Sequence, residues 1–293
     1  MKIKTILVAL TLEDDSPRVA GRAIQLAEQH GARLIGLHVI EDFPLGDAGL
    51  PDALAPDELA GAVKADGTAR LRALLKTAGQ EAAIHVETGK PHDAIRLLAT
   101  AQDADLIVIG PGVPKSLREK MFGSTADRVV RSSSCPVLVV RQNAGAPYGH
   151  IAIGMDFSEH ARAAAGWAER LSPMAVRSFI HASEIPLAFE QAMLKTGTSG
   201  EDIERYRDAR AEAAHRQIVE LFGENGRLPP SSRARIVRGD AATALIEASR
   251  RRTVDLLALG TQGSSAVARQ LLGSVARKVL AGAGCDVLVV PGA

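Results

Sequence analysis

Asp255-Leu256-Leu257-Ala258-Leu259-Gly260-Thr261-Gln262-Gly263 is followed, after nine residues, by Gly273-Ser274. The run from Asp255 to Leu259 reads as a buried strand, and Gly273 to Ala281 as a helix. A glycine-bearing loop that carries a strand's carboxyl end into a helix start is an arrangement for binding phosphate. The first amides of a helix lack partners and carry partial positive charge, and glycine lets an anion approach them. The strand–loop–helix order also points to a parallel sheet with its ligand crevice at the carboxyl ends of the strands.

The same spacing occurs twice. Gly89 to Gly110 and Gly239 to Gly260 are both 21 residues apart, and Gly110 to Gly123 and Gly260 to Gly273 are both 13. Cys135-Pro136-Val137-Leu138-Val139-Val140 matches Cys285-Asp286-Val287-Leu288-Val289-Val290 at the same offset of 150. Nearer each start, Thr5-Ile6-Leu7-Val8-Ala9-Leu10 aligns with His150-Ile151-Ala152-Ile153-Gly154-Met155 at an offset of 145, so the second copy has gained five residues. The chain divides into domains 1–142 and 149–293, and the join falls in the Gly/Ala/Pro stretch Gln142 to Gly149.

Each copy alternates strands with helices. In the first, strands are expected at 4–10, 33–39, 82–87, 105–109 and 136–141. Helices are expected at 16–30, 57–78, 91–101 and 123–133, with a Gly/Pro-rich passage at 43–56. The second copy repeats this, with a long helix over 200–222 whose Ala211, Ala214, Ile218 and Leu221 share a face. Several uniformly apolar strands among helices imply an α/β fold, a parallel sheet covered on both faces.

The 293 residues suffice for two domains, and 46% hydrophobic with 24% charged residues describes a globular chain. Lys+Arg at 35 against Asp+Glu at 34 removes a global argument for nucleic-acid or membrane binding. The apolar run after Met1-Lys2 stops at Glu13-Asp14-Asp15 without a small-residue cleavage site, so it reads as a first strand rather than a signal peptide. Two cysteines make no disulfide framework and fit a reducing cytoplasm. Cys135 and Cys285 start equivalent strands, where a buried thiol serves as a small hydrophobe.

In the second copy Gly260 and Gly263 allow a tight turn beside a ligand, and Ser274 suits either a phosphate hydrogen bond or a helix cap, the cap being the commoner role. Asp156, ending the first strand of that copy, faces Gly260 across the crevice. There it suits a pair of ribose hydroxyls, or the cap of a helix beginning near Ser158. His38 and His181, near the ends of the second strands, read as satisfied rim histidines. Trp167 reads as packing, and Arg250-Arg251-Arg252 as a solvated helix end.

These residues resemble the universal stress protein family in its tandem, two-domain form. Its nucleotide pattern is Gly, two residues, Gly, nine residues, Gly, then Ser or Thr. Gly260, Gly263, Gly273 and Ser274 fit it, and the family's aspartate falls on Asp156. The resemblance implies two doubly wound domains, each a five-stranded parallel sheet in the order 3-2-1-4-5 with helices on both faces. It implies ATP, with Mg²⁺ on its phosphates, bound on the glycine loop. Leu259 and Val275 would line the site, and Ala182, after the second strand, would lie beside the adenine. The final strands of the two copies are expected to pair edge to edge within the chain, and a homodimer of the whole chain is a further expectation.

The first copy departs from the pattern. Val113 replaces the second glycine, Pro111 lies inside the loop, and Thr11 replaces Asp156. Weak or absent nucleotide binding is expected there, leaving a structural or partner-binding copy. Pro114-Lys115-Ser116 lacks the glycine of a Walker loop, and no Gly-x-Ser-x-Gly elbow or metal-spaced histidine set occurs. The expected output is therefore regulatory, a nucleotide-dependent shift of loop 264–272 beginning at Ser264-Ser265. A slow ATPase or phosphotransferase is the second reading, and a nucleotide-independent scaffold the third.

Overall fold

The first copy folds as β1 (Thr5–Ala9), α1 (Ser16–His30), β2 (Arg33–Ile40), α2 (Pro56–Leu74), β3 (Ala83–Thr88), α3 (Pro91–Ala101), β4 (Leu106–Ile109), α4 (Ser124–Ser132) and β5 (Val137–Val139). The second folds as β6 (His150–Gly154), α5 (Glu159–Leu171), β7 (Val176–Ser183), α6 (Leu187–Lys195), α7 (Gly200–Phe222), β8 (Ser232–Arg238), α8 (Ala241–Ser249), β9 (Leu256–Gly260), α9 (Ser274–Gly282) and β10 (Asp286–Val290). This is a computed structural model, and it describes residues 2–41, 56–76, 81–112, 123–263 and 272–292. The expectations for the passage 43–55, the helix end at Ala78, Val113, Pro114-Lys115-Ser116 and Ser264-Ser265 fall outside those residues.

All ten strands form one sheet in the order β3-β2-β1-β4-β5-β10-β9-β6-β7-β8. Each half has the expected 3-2-1-4-5 order with parallel neighbours. The halves meet as the sequence suggested: β5 and β10 pair antiparallel, with Val137 opposite Val289, Leu138 opposite Leu288 and Val139 opposite Val287.

Side chains alternate faces along a strand, and here both faces are covered. Ile6 and Val8 point into one core and Leu7 into the other, all fully buried. The first core is roofed by α1, α2, α5 and α7 through residues such as Leu26, Leu71, Ala168 and Ile218. The second is roofed by α3, α4, α8 and α9 through Ile95, Val129, Leu245 and Val279. Both cores run without a break from one half into the other. Leu138 and Leu288 share the first, and Val139 and Val287 the second.

One element was not expected from the sequence. Helix α6 follows Pro186 and buries none of its residues; Leu187 and Phe189 stay exposed. Without a core-facing stripe it has no periodic signature to read. No helix among the described residues is long and apolar enough to cross a membrane.

A buried polar cluster locks the joint between the halves. Asp286, fully buried at the start of β10, accepts hydrogen bonds from the amides of Arg141 (2.6 Å) and Gln142 (2.9 Å) and from the Tyr148 hydroxyl (2.7 Å). Arg22 of α1 brings its Nε to 3.4 Å from the same carboxylate and stacks 4.1 Å from the centre of the Tyr148 ring. It also donates to the Ala146 carbonyl at 2.9 Å, while the Arg141 guanidinium donates to the Leu280 carbonyl at the end of α9. A buried carboxylate is tolerable only when paired and hydrogen-bonded in this way. The equivalent residue of the first copy is Pro136, so one acid serves both halves.

Cys285, beside this cluster, is fully buried, and burial first, then the neighbouring Asp286 charge, push its thiol up from 9.0 to about 12. Burial also raises the Cys135 thiol. Both are poor thiolates, in keeping with a packing role.

Two outcomes are expected. Leu288→Ala should cost about 2–5 kcal/mol in urea unfolding. Because each core spans both halves, the variant should still unfold in one transition; two resolved transitions would show the halves to be energetically separate. The second concerns alkaline pH. A thiol whose folded pKa is raised adds stability below the unfolded value of 9.0, and this is lost as pH climbs towards about 12. Unfolding free energy should therefore fall through that window, by at most about 1.4 kcal/mol per pH unit for this one proton. Cys285→Ala should flatten the fall; an unchanged slope would remove Cys285 as a contributor.

Candidate functional site

At the carboxyl ends of β6, β7 and β9 the second half opens into a crevice of about 390 Å³. All eight residues singled out from the sequence line it: Asp156, Ala182, Leu259, Gly260, Gly263, Gly273, Ser274 and Val275.

The loop after β9 is fastened at several points. The Thr261 amide donates to the Val290 carbonyl at 2.9 Å, and the Gly273 amide returns to the Thr261 carbonyl at 2.8 Å. The Thr261 hydroxyl lies 3.1 Å from Nδ1 of His160, on α5. Close packing fixes the glycines. A Cβ at Gly260 would fall 2.4 Å from the His160 Cβ and 2.8 Å from its carbonyl carbon. A Cβ at Gly263 would fall 2.7 Å from Oδ2 of Asp156, so a larger residue there would require the carboxylate to shift. Gly273 is the N-cap of α9 and no side chain caps it, so the amides of the first turn have no acceptor within the helix.

Three expectations are corrected in detail. Ser274 is the first residue of α9 and not its cap, because the chain is still extended at Gly273 (ψ 152°) and becomes helical one residue later. Asp156 lies two residues beyond the end of β6. Its Oδ1 accepts from the Ser158 amide (3.1 Å) and hydroxyl (2.6 Å), and it is Ser158 that caps α5, accepting from the Ala161 amide at 3.2 Å. Its Oδ2 is the oxygen turned towards Gly263. Ala182 lies inside β7 rather than after it, since pairing of Ala182 with Val237 and Ser183 with Arg238 prolongs the strand.

Other crevice residues were not singled out as ligand contacts. His181 lines the wall with its Nδ1 2.8 Å from the Met155 carbonyl, and its ring is 4.9 Å from that of Phe157. Ile180 and Leu245 add apolar wall, and Arg277, in the first turn of α9, also lines the crevice. Phe157 itself adopts a left-handed backbone (φ 66°), as does Leu12 at the equivalent place in the first half (φ 64°). Nothing in either side chain signals this turn, which costs of order 1 kcal/mol and aims the preceding residue, Asp156 or Thr11, at the crevice.

The first half keeps a crevice of about 350 Å³ in the equivalent place, so volume does not separate the copies. Its chemistry does. Thr11 donates to Asp15 at 3.3 Å, and Asp15 presses against Gly110, where a Cβ would meet its Oδ2 at 2.4 Å. Glu13 and Glu41 line the same space. Gly112, at φ +76°, packs against Gly123 so closely that a Cβ would lie 3.0 Å from its Cα.

The model of the universal stress protein family matches residues 2–141 and again 147–291. The chain belongs to the universal stress protein family, with the family's domain present twice. Among its relatives, the universal stress protein in the QAH/OAS sulfhydrylase 3′ region of Thermus aquaticus is 36% identical over 141 residues, covering 47% of this chain and 98% of that protein. The crystal structure of a universal stress protein from Archaeoglobus fulgidus shares the fold over 99% of both chains, with a TM-score of 0.67 and 16% identity. A universal stress protein solved in complex with cAMP aligns over 48% of this chain and 98% of its own, with a TM-score of 0.35 and 25% identity.

The contact between Gly263 and Asp156 is testable as stability. Gly263→Val should lower the melting temperature by several degrees, the effect of about 1–3 kcal/mol of overpacking. Adding Asp156→Thr, the pair of residues found in the first copy, should recover most of that loss. No recovery would mean the two positions are not coupled.

Proposed function

We propose that the chain binds an adenine nucleotide, ATP carrying Mg²⁺ on its phosphates, in the crevice of domain 149–293, and acts as a regulatory nucleotide-binding module of the cytoplasm. Domain 1–142 is the copy that binds nucleotide weakly or not at all. The observation that carries this reading is the junction of three features in one crevice: the uncapped start of α9, the glycine loop pinned by Thr261, and a carboxylate opposite. Phosphates suit the amides of Gly273, Ser274 and the residues after them, where helix charge and unpaired donors coincide. Gly260 and Gly263 keep side chains out of their path. Asp156 suits the ribose hydroxyls as an acceptor, Leu259 and Val275 supply apolar wall, and Ala182 leaves room beside it for a planar base. The metal arrives with the phosphates, whose oxygens are its ligands, and no protein ligand is assigned to it.

Calorimetric titration with Mg·ATP should give one site per chain. Gly263→Val and Asp156→Ala should each weaken it at least about tenfold, the loss of one or two charge-assisted or well-placed hydrogen bonds. Two equivalent sites would overturn the assignment to one half, and no heat or thermal shift with wild-type protein would overturn nucleotide binding altogether.

A further inference from the structure

Arg277 lies in the first turn of α9, where the helix already presents positive charge, and it lines the crevice beside Ser274. A cation at a helix start is unfavourable by itself. Residues three apart on a helix share a face, which puts Arg277 on the face of α9 that carries Ser274, and both line the crevice. Among the described residues no carboxylate forms an ion pair with it, whereas the next residue, Lys278, lies 3.8 Å from Asp240.

The duplicate position makes a control within the same molecule. Its residue is Asp127, which suits a helix start and is tied to Arg131 on its own helix by contacts of 2.8 and 3.1 Å. Asp127 does not line the first-half crevice. One copy therefore has an acid in the first turn of this helix, and the other has an exposed arginine that lines the crevice.

We propose that Arg277 is a specificity residue for the phosphate tail, selecting nucleotides with two or three phosphates over monophosphates. This rests on the nucleotide reading given above. The phosphate nearest the ribose meets the loop and the first amides, which any adenine nucleotide can use. The guanidinium, a planar fork of donors that stays charged, meets the phosphates beyond it.

The test is calorimetry with AMP, ADP and ATP on wild type, Arg277→Gln and Arg277→Asp, at low and moderate salt, with melting temperatures to check that α9 is intact. Arg277→Gln should weaken ATP about tenfold, the value of one charge-assisted contact, while AMP changes less than about twofold. Arg277→Asp should weaken ATP further, and the salt dependence of ATP binding should be shallower in both variants. Equal losses for AMP and ATP, or no loss for either, would overturn the inference and leave the nucleotide site standing. A wild-type protein that binds none of the three would overturn both.

Discussion

The whole architecture hangs on the antiparallel seam between β5 and β10. Three residue pairs join two five-stranded sheets into one, and the helices on each face then roof a core that does not stop at the boundary. An exposed apolar edge strand is a liability, and these two edges remove each other. The seam is too short to fix its own register by hydrogen bonds alone. Asp286 supplies what is missing, since its carboxylate can be satisfied only when Arg22, Arg141, Gln142 and Tyr148 converge from the first half and the linker. A slipped register would leave that charge buried and unpaired, which is far more costly than a lost apolar contact.

Within the crevice a second constraint works at the scale of one atom. Asp156 and Gly263 are in close contact, since a Cβ at Gly263 would fall 2.7 Å from Oδ2 of Asp156. In the first copy both positions differ, with Thr11 and Val113 in place of the pair. In the second copy, replacing that carboxylate would relieve the contact for a larger residue at 263.

The fold was legible because its signals are repeated. Glycine spacings preserved over two copies locate the strand ends, and apolar runs too uniform for a one-sided sheet imply cover on both faces. The crevice was legible as far as it is made of glycines and one aspartate, whose chemistry leaves few other uses. What was missed follows from physics that one sequence does not display. Helix α6 buries no residue in either core and meets α7 at the surface, so it has no core-facing stripe. Ser274 and Ala182 were displaced by one or two residues because the ends of elements depend on pairing partners elsewhere in the chain, such as Val237. The left-handed turn at Phe157 is imposed by its surroundings, and Arg277 was indistinguishable from any other exposed arginine until α9 was placed beside the crevice.

The direction of the strands at the seam has a geometrical result. Strands of the second half run opposite to those of the first, so their carboxyl ends lie along opposite rims of the ten-stranded sheet. The two crevices, each at the carboxyl ends of its own strands, therefore open away from each other. A macromolecule seated over one rim leaves the other uncovered, so the molecule has two separately addressable poles. Among the described residues the two crevices share no lining residue, so a message from one pole to the other has to pass through the sheet between them.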